Sequence, residues 1–236
     1  MSSPFAQALY DHHFGDQSGP LRYRNGEEVE ETGVGIYFDE ADPDPDDWLP
    51  AHLDGPLVDL GAGAGRHALY FQERHETVAV ERSDLLVEVM DDRGVRDARR
   101  ADMFALREHF ERDRFRSALA IGTQTSLSRS MRGLRAFLAD LAYVTTPDGT
   151  AVIDGFDPDH ERTREKLDYY EDPTEGLAYR VMQLEYDGTL GEPWLYRLFS
   201  PDRVREAAAD SDWRVADVRY GDDGWDHLFE VALEKR

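Results

Sequence analysis

The run Leu57-Val58-Asp59-Leu60-Gly61-Ala62-Gly63-Ala64-Gly65-Arg66 sets an acid and three alternating glycines where a short apolar stretch gives way to a helix. A chain that turns sharply off a strand end, and lets a ligand approach its backbone, needs residues without a Cβ. Gly61, Gly63 and Gly65 answer both needs. The following segment, Arg66-His67-Ala68-Leu69-Tyr70-Phe71, reads as a helix. Its first N–H groups would point beyond the strand's carboxyl end, where open α/β sheets bind ligands. The stretch reads as a site for a nucleoside-bearing ligand.

Spacing narrows the ligand. A dinucleotide site reads Gly-x-Gly-x-x-Gly and sets a pyrophosphate on the helix N-terminus. Here the third glycine comes one residue early and Arg66 stands in its place. Asp59 is a poor neighbour for a pyrophosphate and a good one for a cationic amino group. The pattern Asp-x-Gly-x-Gly-x-Gly resembles motif I of the class I S-adenosylmethionine (SAM) dependent methyltransferases. Asp59 to Ala68 looks like the version found in many small-molecule members.

The rest of the unit follows the same plan. Thr77-Val78-Ala79-Val80 is a β-branched apolar run that reads as a buried parallel strand, with Glu81 at its end. An acid there can accept both hydroxyls of a ribose. The resemblance implies that Glu81 binds the ribose and that Arg82 lies beside the adenine. It also implies that Asp102 meets the adenine amino group while Met103 packs on the ring. Asp102 has a second role open to it, as cap of a helix expected over Met103 to Phe110.

A fourth strand, Phe115 to Ile121, runs into Gly122-Thr123-Gln124-Thr125-Ser126-Leu127. By resemblance this loop borders the transferable methyl group, with Gly122 and Thr123 on the cofactor. It lacks the Asn/Asp-Pro-Pro-Tyr/Phe motif of enzymes that methylate base or amide nitrogens. Its small hydroxyl and amide groups suit either orienting a polar molecule or turning the chain. No catalytic base is named by the sequence.

Around these residues the elements fall in an alternating order. Met131 to Val144 has apolar residues at helical spacing, Leu134, Phe137, Leu138, Leu141 and Ala142. Thr146 to Gly149 reads as a turn, and Thr150 to Phe156 as a fifth strand. At the end come a helix from Ser200-Pro201 through Ala209 and two strands, Trp213 to Tyr220 and Trp225 to Leu233, about the turn Gly221 to Gly224. The expected fold is α/β, a doubly wound seven-stranded sheet in three α/β/α layers. Its order by resemblance is 3-2-1-4-5-7-6, with strand 7 antiparallel.

Two embellishments flank this domain of residues 55–236. Residues 1–54 are expected to form a helical and loop cap over the cofactor, with an amphipathic helix over Ser3 to His13. An acidic, solvated loop follows at Asp39 to Asp47, and Trp48 to His52 packs the approach to the first strand. Tyr10, His12 and His13 face the site or lie on a surface helix. The second embellishment, an insertion at about 157–199, is read as a charged helical piece through Tyr170 and a hairpin about Asp187 to Gly191. Among its aromatics are Tyr169, Tyr170, Tyr179, Tyr186, Trp194 and Tyr196. They fit a substrate pocket or cross-strand packing. The substrate-side candidates are Tyr10, Gln124, Trp194 and Tyr196. Asp157, Asp159 and His160 are read as a turn and helix start, and no metal site is expected.

Composition sets the surroundings. The chain of 236 residues carries a net charge of −23, from 30 Asp and 20 Glu against 25 Arg and 2 Lys. Such Lys depletion with Asp excess resembles adaptation to a salt-rich cytoplasm, where molar salt shortens screening to about 3 Å. The absence of a Lys/Arg-rich run disfavours nucleic acid. With no cysteine, disulfides, Cys-based zinc sites and thiolate-dependent pyrimidine C5 methylation are excluded. No signal peptide or membrane span is apparent, so a cytoplasmic location is expected. The reading is a methyltransferase using SAM, with S-adenosylhomocysteine (SAH) as product and a small-molecule acceptor. The alternative is a non-catalytic SAM- or SAH-binding scaffold or regulator. A homodimer is compatible with either.

Overall fold

The computed structural model of the chain describes residues 3–25, 27–40, 47–222 and 224–236. Helix α1 (Pro4–Phe14) precedes the strands β1 (Leu21–Asn25) and β2 (Glu28–Thr32) and the short helix α2 (Trp48–Ala51). Strands and helices then alternate through β3 (Leu57–Leu60), α3 (Arg66–Phe71), β4 (Thr77–Glu81), α4 (Asp84–Arg93) and β5 (Ala98–Arg100). They continue through α5 (Leu106–His109), β6 (Phe115–Ala120), α6 (Met131–Val144) and β7 (Thr145–Phe156). Next come α7 (Glu161–Lys166), β8 (Tyr170–Glu171), β9 (Leu177–Tyr186), β10 (Thr189–Leu190) and β11 (Trp194–Phe199). Helix α8 (Pro201–Ala209) and strands β12 (Trp213–Tyr220) and β13 (Leu228–Lys235) close the chain.

Seven strands form the main sheet in the order β12-β13-β7-β6-β3-β4-β5. Pairings from β5 to β7 are parallel, whereas β13 runs antiparallel to both β7 and β12. Counted within this sheet, the order is the expected 3-2-1-4-5-7-6. Its central strands are apolar because both faces are covered. Alternate residues Val58, Leu60, Val78 and Val80 pack with Leu134, Phe137, Leu138 and Leu141 of α6. Their neighbours Leu57, Leu119 and Val152 pack with Tyr70 and Phe71 of α3. Trp213 is fully buried and spends its indole N–H on the carbonyl of Leu138 at 2.9 Å.

A second, six-stranded antiparallel sheet centres on β9, which pairs with β1, β8, β10 and β11, while β2 pairs with β1. The amino-terminal segment and the insertion thus share one sheet. Its buried residues Leu21, Leu184 and Tyr186 pack with Ala6, Ala8 and Leu9 of α1, Leu86 and Val89 of α4, and Ala64 of the glycine turn. Packing onto Ala64 sets this sheet beside the turn.

Several element readings change. The β1–β2 hairpin was not expected, because β2, Glu-Val-Glu-Glu-Thr, is almost wholly exposed and lacks an apolar alternation. Strand β7 begins at Thr145 rather than Thr150: Phe115 pairs with Thr145 and Ser117 with Thr150, so residues 146–149 loop out opposite Arg116. The helix expected over Met103 to Phe110 shrinks to α5, and the charged piece before Tyr170 to α7. In the acidic stretch expected over Asp39 to Asp47, residues 41–46 lie outside the described residues, as does Asp223 of the last turn.

Candidate functional site

The glycine turn leaves β3 with the N–H groups of Gly61 and Ala62 both donating to the carbonyl of Val80, at 2.9 and 3.1 Å. This ties it to the end of β4. Gly61, Gly63 and Gly65 have φ of +69°, +58° and +82°, left-handed values that disfavour any side chain. Their surroundings differ. A Cβ on Gly61 would lie 2.5 Å from the Gln124 side chain, and one on Gly65 2.7 Å from Val95, whereas one on Gly63 would meet nothing within 4 Å. Gly61 and Gly65 are glycines for packing; Gly63 presents its backbone to open space.

Two acids flank that opening. Asp59 is 2% exposed, and its Oδ2 has no hydrogen-bond partner among the described residues. Burial pushes its pKa up to about 7, against the stabilising N–H of Ala68. A buried carboxylate oxygen without a donor is costly and marks a place where a donor is missing. Glu81 accepts from the N–H groups of Gly63 (3.3 Å), Arg82 (2.7 Å) and Ser83 (3.1 Å). Burial raises its pKa, against those three donors.

The remaining cofactor-side candidates are placed as follows. Asp102 lies beyond β5, where its Oδ1 accepts from Phe104 N–H at 2.9 Å; it shapes a turn and is not the first cap of α5. Met103 is 8% exposed and belongs to the main core with Leu106 and Phe110. Arg66 and Arg82 project to the surface. His67, not singled out from sequence, is held neutral: burial lowers its pKa to about 4, with Arg66 acting the same way.

The loop after β6 is pinned by a residue the sequence reading missed. The buried Asp154 of β7 accepts from the N–H groups of Gly122 (2.9 Å) and Thr123 (2.7 Å), and its carbonyl accepts from the Thr125 hydroxyl at 2.7 Å. Burial pushes the Asp154 pKa up to about 7. Its visible signal was a single acid inside Ala151-Val152-Ile153-Asp154-Gly155-Phe156. The clamp holds Thr123 at φ +59°, an unusual state for a β-branched residue, and leaves Gln124 against Gly61.

Facing this loop is an aromatic wall. Tyr196 of β11 shares a hydrogen bond with Thr123, and burial raises its pKa. Trp194 stacks with Tyr196 at 6.0 Å and meets Phe5 edge-on. Tyr23 and Tyr37 share a hydrogen bond, and burial raises both their pKa values. Other candidates are engaged elsewhere. The Tyr10 hydroxyl donates to Glu88 on α4 at 3.0 Å, and His13 meets Asp92 at 2.7 Å. Tyr169 donates to the Pro158 carbonyl, Tyr186 accepts from Ser18 N–H, and Tyr170 stacks on Tyr179. Asp157 accepts from Asp159 N–H, and His160 caps α7. Among the described residues no acid, histidine or cysteine group has metal-binding geometry, and no helix is long and apolar enough to cross a membrane.

No protein-family model and no curated protein matches the chain. Solved structures do. A SAM-dependent methyltransferase of Bacteroides fragilis, solved with SAH, is 24% identical, with a TM-score of 0.79 over 99% of this chain and 95% of that one. A methyltransferase of Methanosarcina mazei is 12% identical over 79% of this chain and 96% of that one, with a TM-score of 0.61. The 1,6-didemethyltoxoflavin-N1-methyltransferase of Burkholderia thailandensis, solved with 1,6-didemethyltoxoflavin and SAH, is 20% identical over 76% and 70%, with a TM-score of 0.52. The chain has the fold of these SAM-dependent methyltransferases. Coverage of 99% in the Bacteroides protein extends the likeness to the second sheet.

Proposed function

We propose that the chain is a SAM-dependent methyltransferase acting on a small molecule. The observation that carries this reading is the open space at Gly63, flanked by Asp59 with its orphaned buried oxygen and by the strand-end acid Glu81. These residues fit SAM. The missing donor at Asp59 matches the amino group of a methionine moiety, and Glu81 stands where ribose hydroxyls would be accepted. Asp102 and Met103 would hold the adenine end. SAM supplies an electrophilic methyl group on a sulfonium.

This chain's own residues then hold and orient. Gly63 lets the ligand lie close to the backbone, and the Asp154 clamp fixes Gly122, Thr123 and Gln124 along the space next to the turn. The acceptor enters between that loop and the second sheet, the cap formed by residues within 1–54 and 157–199. In-line displacement needs the nucleophile held about 3 Å from the methyl carbon, and the rate gain comes mainly from proximity and orientation. No side chain is assigned as base.

Calorimetry with SAM, SAH and NAD in molar KCl tests the cofactor assignment: SAM and SAH bind and NAD does not. An absence of SAM binding, or binding indifferent to Gly63→Arg, overturns it. Turnover of labelled SAM with a cell extract separates the enzyme from a binding scaffold.

A further inference from the structure

The inner face of the second sheet is apolar at every second position of β9, where Ala178, Met182, Leu184 and Tyr186 are buried, while Val181 on the other phase is 39% exposed. Arg180 occupies the apolar phase. Its cross-strand partner on β11 is Tyr196, the residue bonded to Thr123. Its charge also acts on Tyr23 of β1. Arg180 therefore stands with the tyrosines of the wall that faces the methyl-bordering loop.

The other arginines of this sheet are paired. Arg22 meets Glu31 and Glu185, Arg24 meets Glu185, and Arg197 meets Asp172. Arg180 has no carboxylate partner among the described residues, and its buried Nε, like that of Arg197, has no acceptor among them. In a chain with 50 acids against 27 lysines and arginines, a half-buried guanidinium left unpaired is conspicuous, because desolvating a charge without a partner is costly. The hydroxyls of Tyr23 and Tyr196 beside it are neutral, and Asp154, the acid that acts on Tyr196, is engaged by the N–H groups of Gly122 and Thr123. A planar fork of N–H donors set among tyrosines suits a carboxylate or phosphate.

We propose that the methyl acceptor carries an oxyanion and that Arg180 binds it, with Tyr196 and Tyr23 alongside. The proposal rests on the methyltransferase reading and adds the acceptor's charge to it. The anionic end lies against the second sheet, and the nucleophile reaches the Thr123–Gln124 loop.

The test uses the full-length protein, labelled SAM and a small-molecule cell extract fractionated on an anion exchanger at pH 8. Acceptor activity is expected in the retained fractions that salt elutes. Activity confined to the unretained fraction overturns the proposal. Phosphatase treatment separates the two sources: loss of activity identifies a phosphate, survival a carboxylate. With the active fraction, Arg180→Leu is expected to raise the apparent KM for acceptor about 100-fold, and Arg180→Lys, which keeps the charge but not the fork, to recover only part of it. SAH affinity, measured by calorimetry on the same variants, should stay within twofold and certifies folding. An unchanged KM in Arg180→Leu sinks the assignment. SAH binding without turnover by any fraction overturns the acceptor reading and this proposal together, whereas failure of SAH to bind wild-type protein defeats the cofactor reading first.

Discussion

The two walls of the candidate site are built by different rules. One wall, from Asp59 through Gly63 to Glu81, comes from a single strand–helix–strand stretch whose turn is tied to the neighbouring strand by the carbonyl of Val80. The other joins Tyr23 of the amino-terminal β1 to Arg180 and Tyr196 of β9 and β11, the last two set opposite each other by cross-strand register. The first wall presents backbone and carboxylates, and the second tyrosine hydroxyls and one arginine. On the proposed reading the first wall holds the cofactor and the second the acceptor. The Bacteroides structure covers 99% of the chain, whereas the other two cover 76% and 79%, so likeness over the whole chain is not shared equally.

The strongest way to break this division is Gly63→Arg. The side chain would fill the open space, so SAH affinity should fall more than 100-fold. The left-handed φ costs about 1–2 kcal/mol for a non-glycine residue, a loss visible as a modest drop in melting temperature. Calorimetry and a thermal melt check both, and retained binding would place the ligand elsewhere. Glu81→Ala follows, with a loss of about 10- to 100-fold, since a hydrogen bond to a charged group is worth about 1.5–3 kcal/mol. Tyr196→Phe on the opposite wall should leave SAH affinity within twofold. If instead it matches the loss in Glu81→Ala, the walls do not divide the ligands.

The same contrast explains what the sequence revealed. Asp59, Gly61, Gly63, Gly65 and Glu81 were legible because strand, turn and helix fix their geometry within one local unit. The alternating elements and the terminal hairpin were legible as elements, and the resemblance to the methyltransferase family implied their order in the sheet. The β1–β2 hairpin was not: Glu28 to Thr32 is held by its ladder to β1 and by the Arg22–Glu31 pair, so it carries no apolar period. Asp154 was hidden because its role, pinning Gly122 and Thr123, exists only once β6 and β7 lie side by side. Arg180 did leave a trace, a cation in the apolar phase of Leu177 to Tyr186. Reading it required knowing which face of β9 turns inward.

A smaller effect tests the first wall through pH. The folded pKa of Asp59, about 7, lies above the ordinary aspartate value of 3.8. Between those values the folded protein keeps a proton that the unfolded chain releases, so Asp59 makes the free protein less stable as pH rises through the window. Asp154, shifted the same way, adds to this trend. A cationic amino group at Asp59 favours its carboxylate, so SAH affinity should rise up to about tenfold per unit from pH 5.5 towards 7 and level off above. Calorimetry in buffers of different ionisation enthalpy should detect proton release. Asp59→Asn should flatten the profile; an unaltered profile would remove Asp59 from the ligand's contacts.

The smallest expected effect lies at Tyr10, which the sequence left between the acceptor side and a surface helix. Tyr10 was a candidate for the acceptor side, yet its hydroxyl bonds Glu88 on the surface of α4 and its ring lies 4.6 Å from that of Phe14. A bond exposed to water in this way contributes little, because solvent competes for both partners. Tyr10→Phe should therefore lower the melting temperature by a few degrees at most, and leave SAH affinity and the apparent KM for acceptor within twofold. A tenfold rise in that KM with unchanged SAH binding would show that α1 brings its tyrosine to the acceptor during turnover, and would add the amino-terminal helix to the second wall.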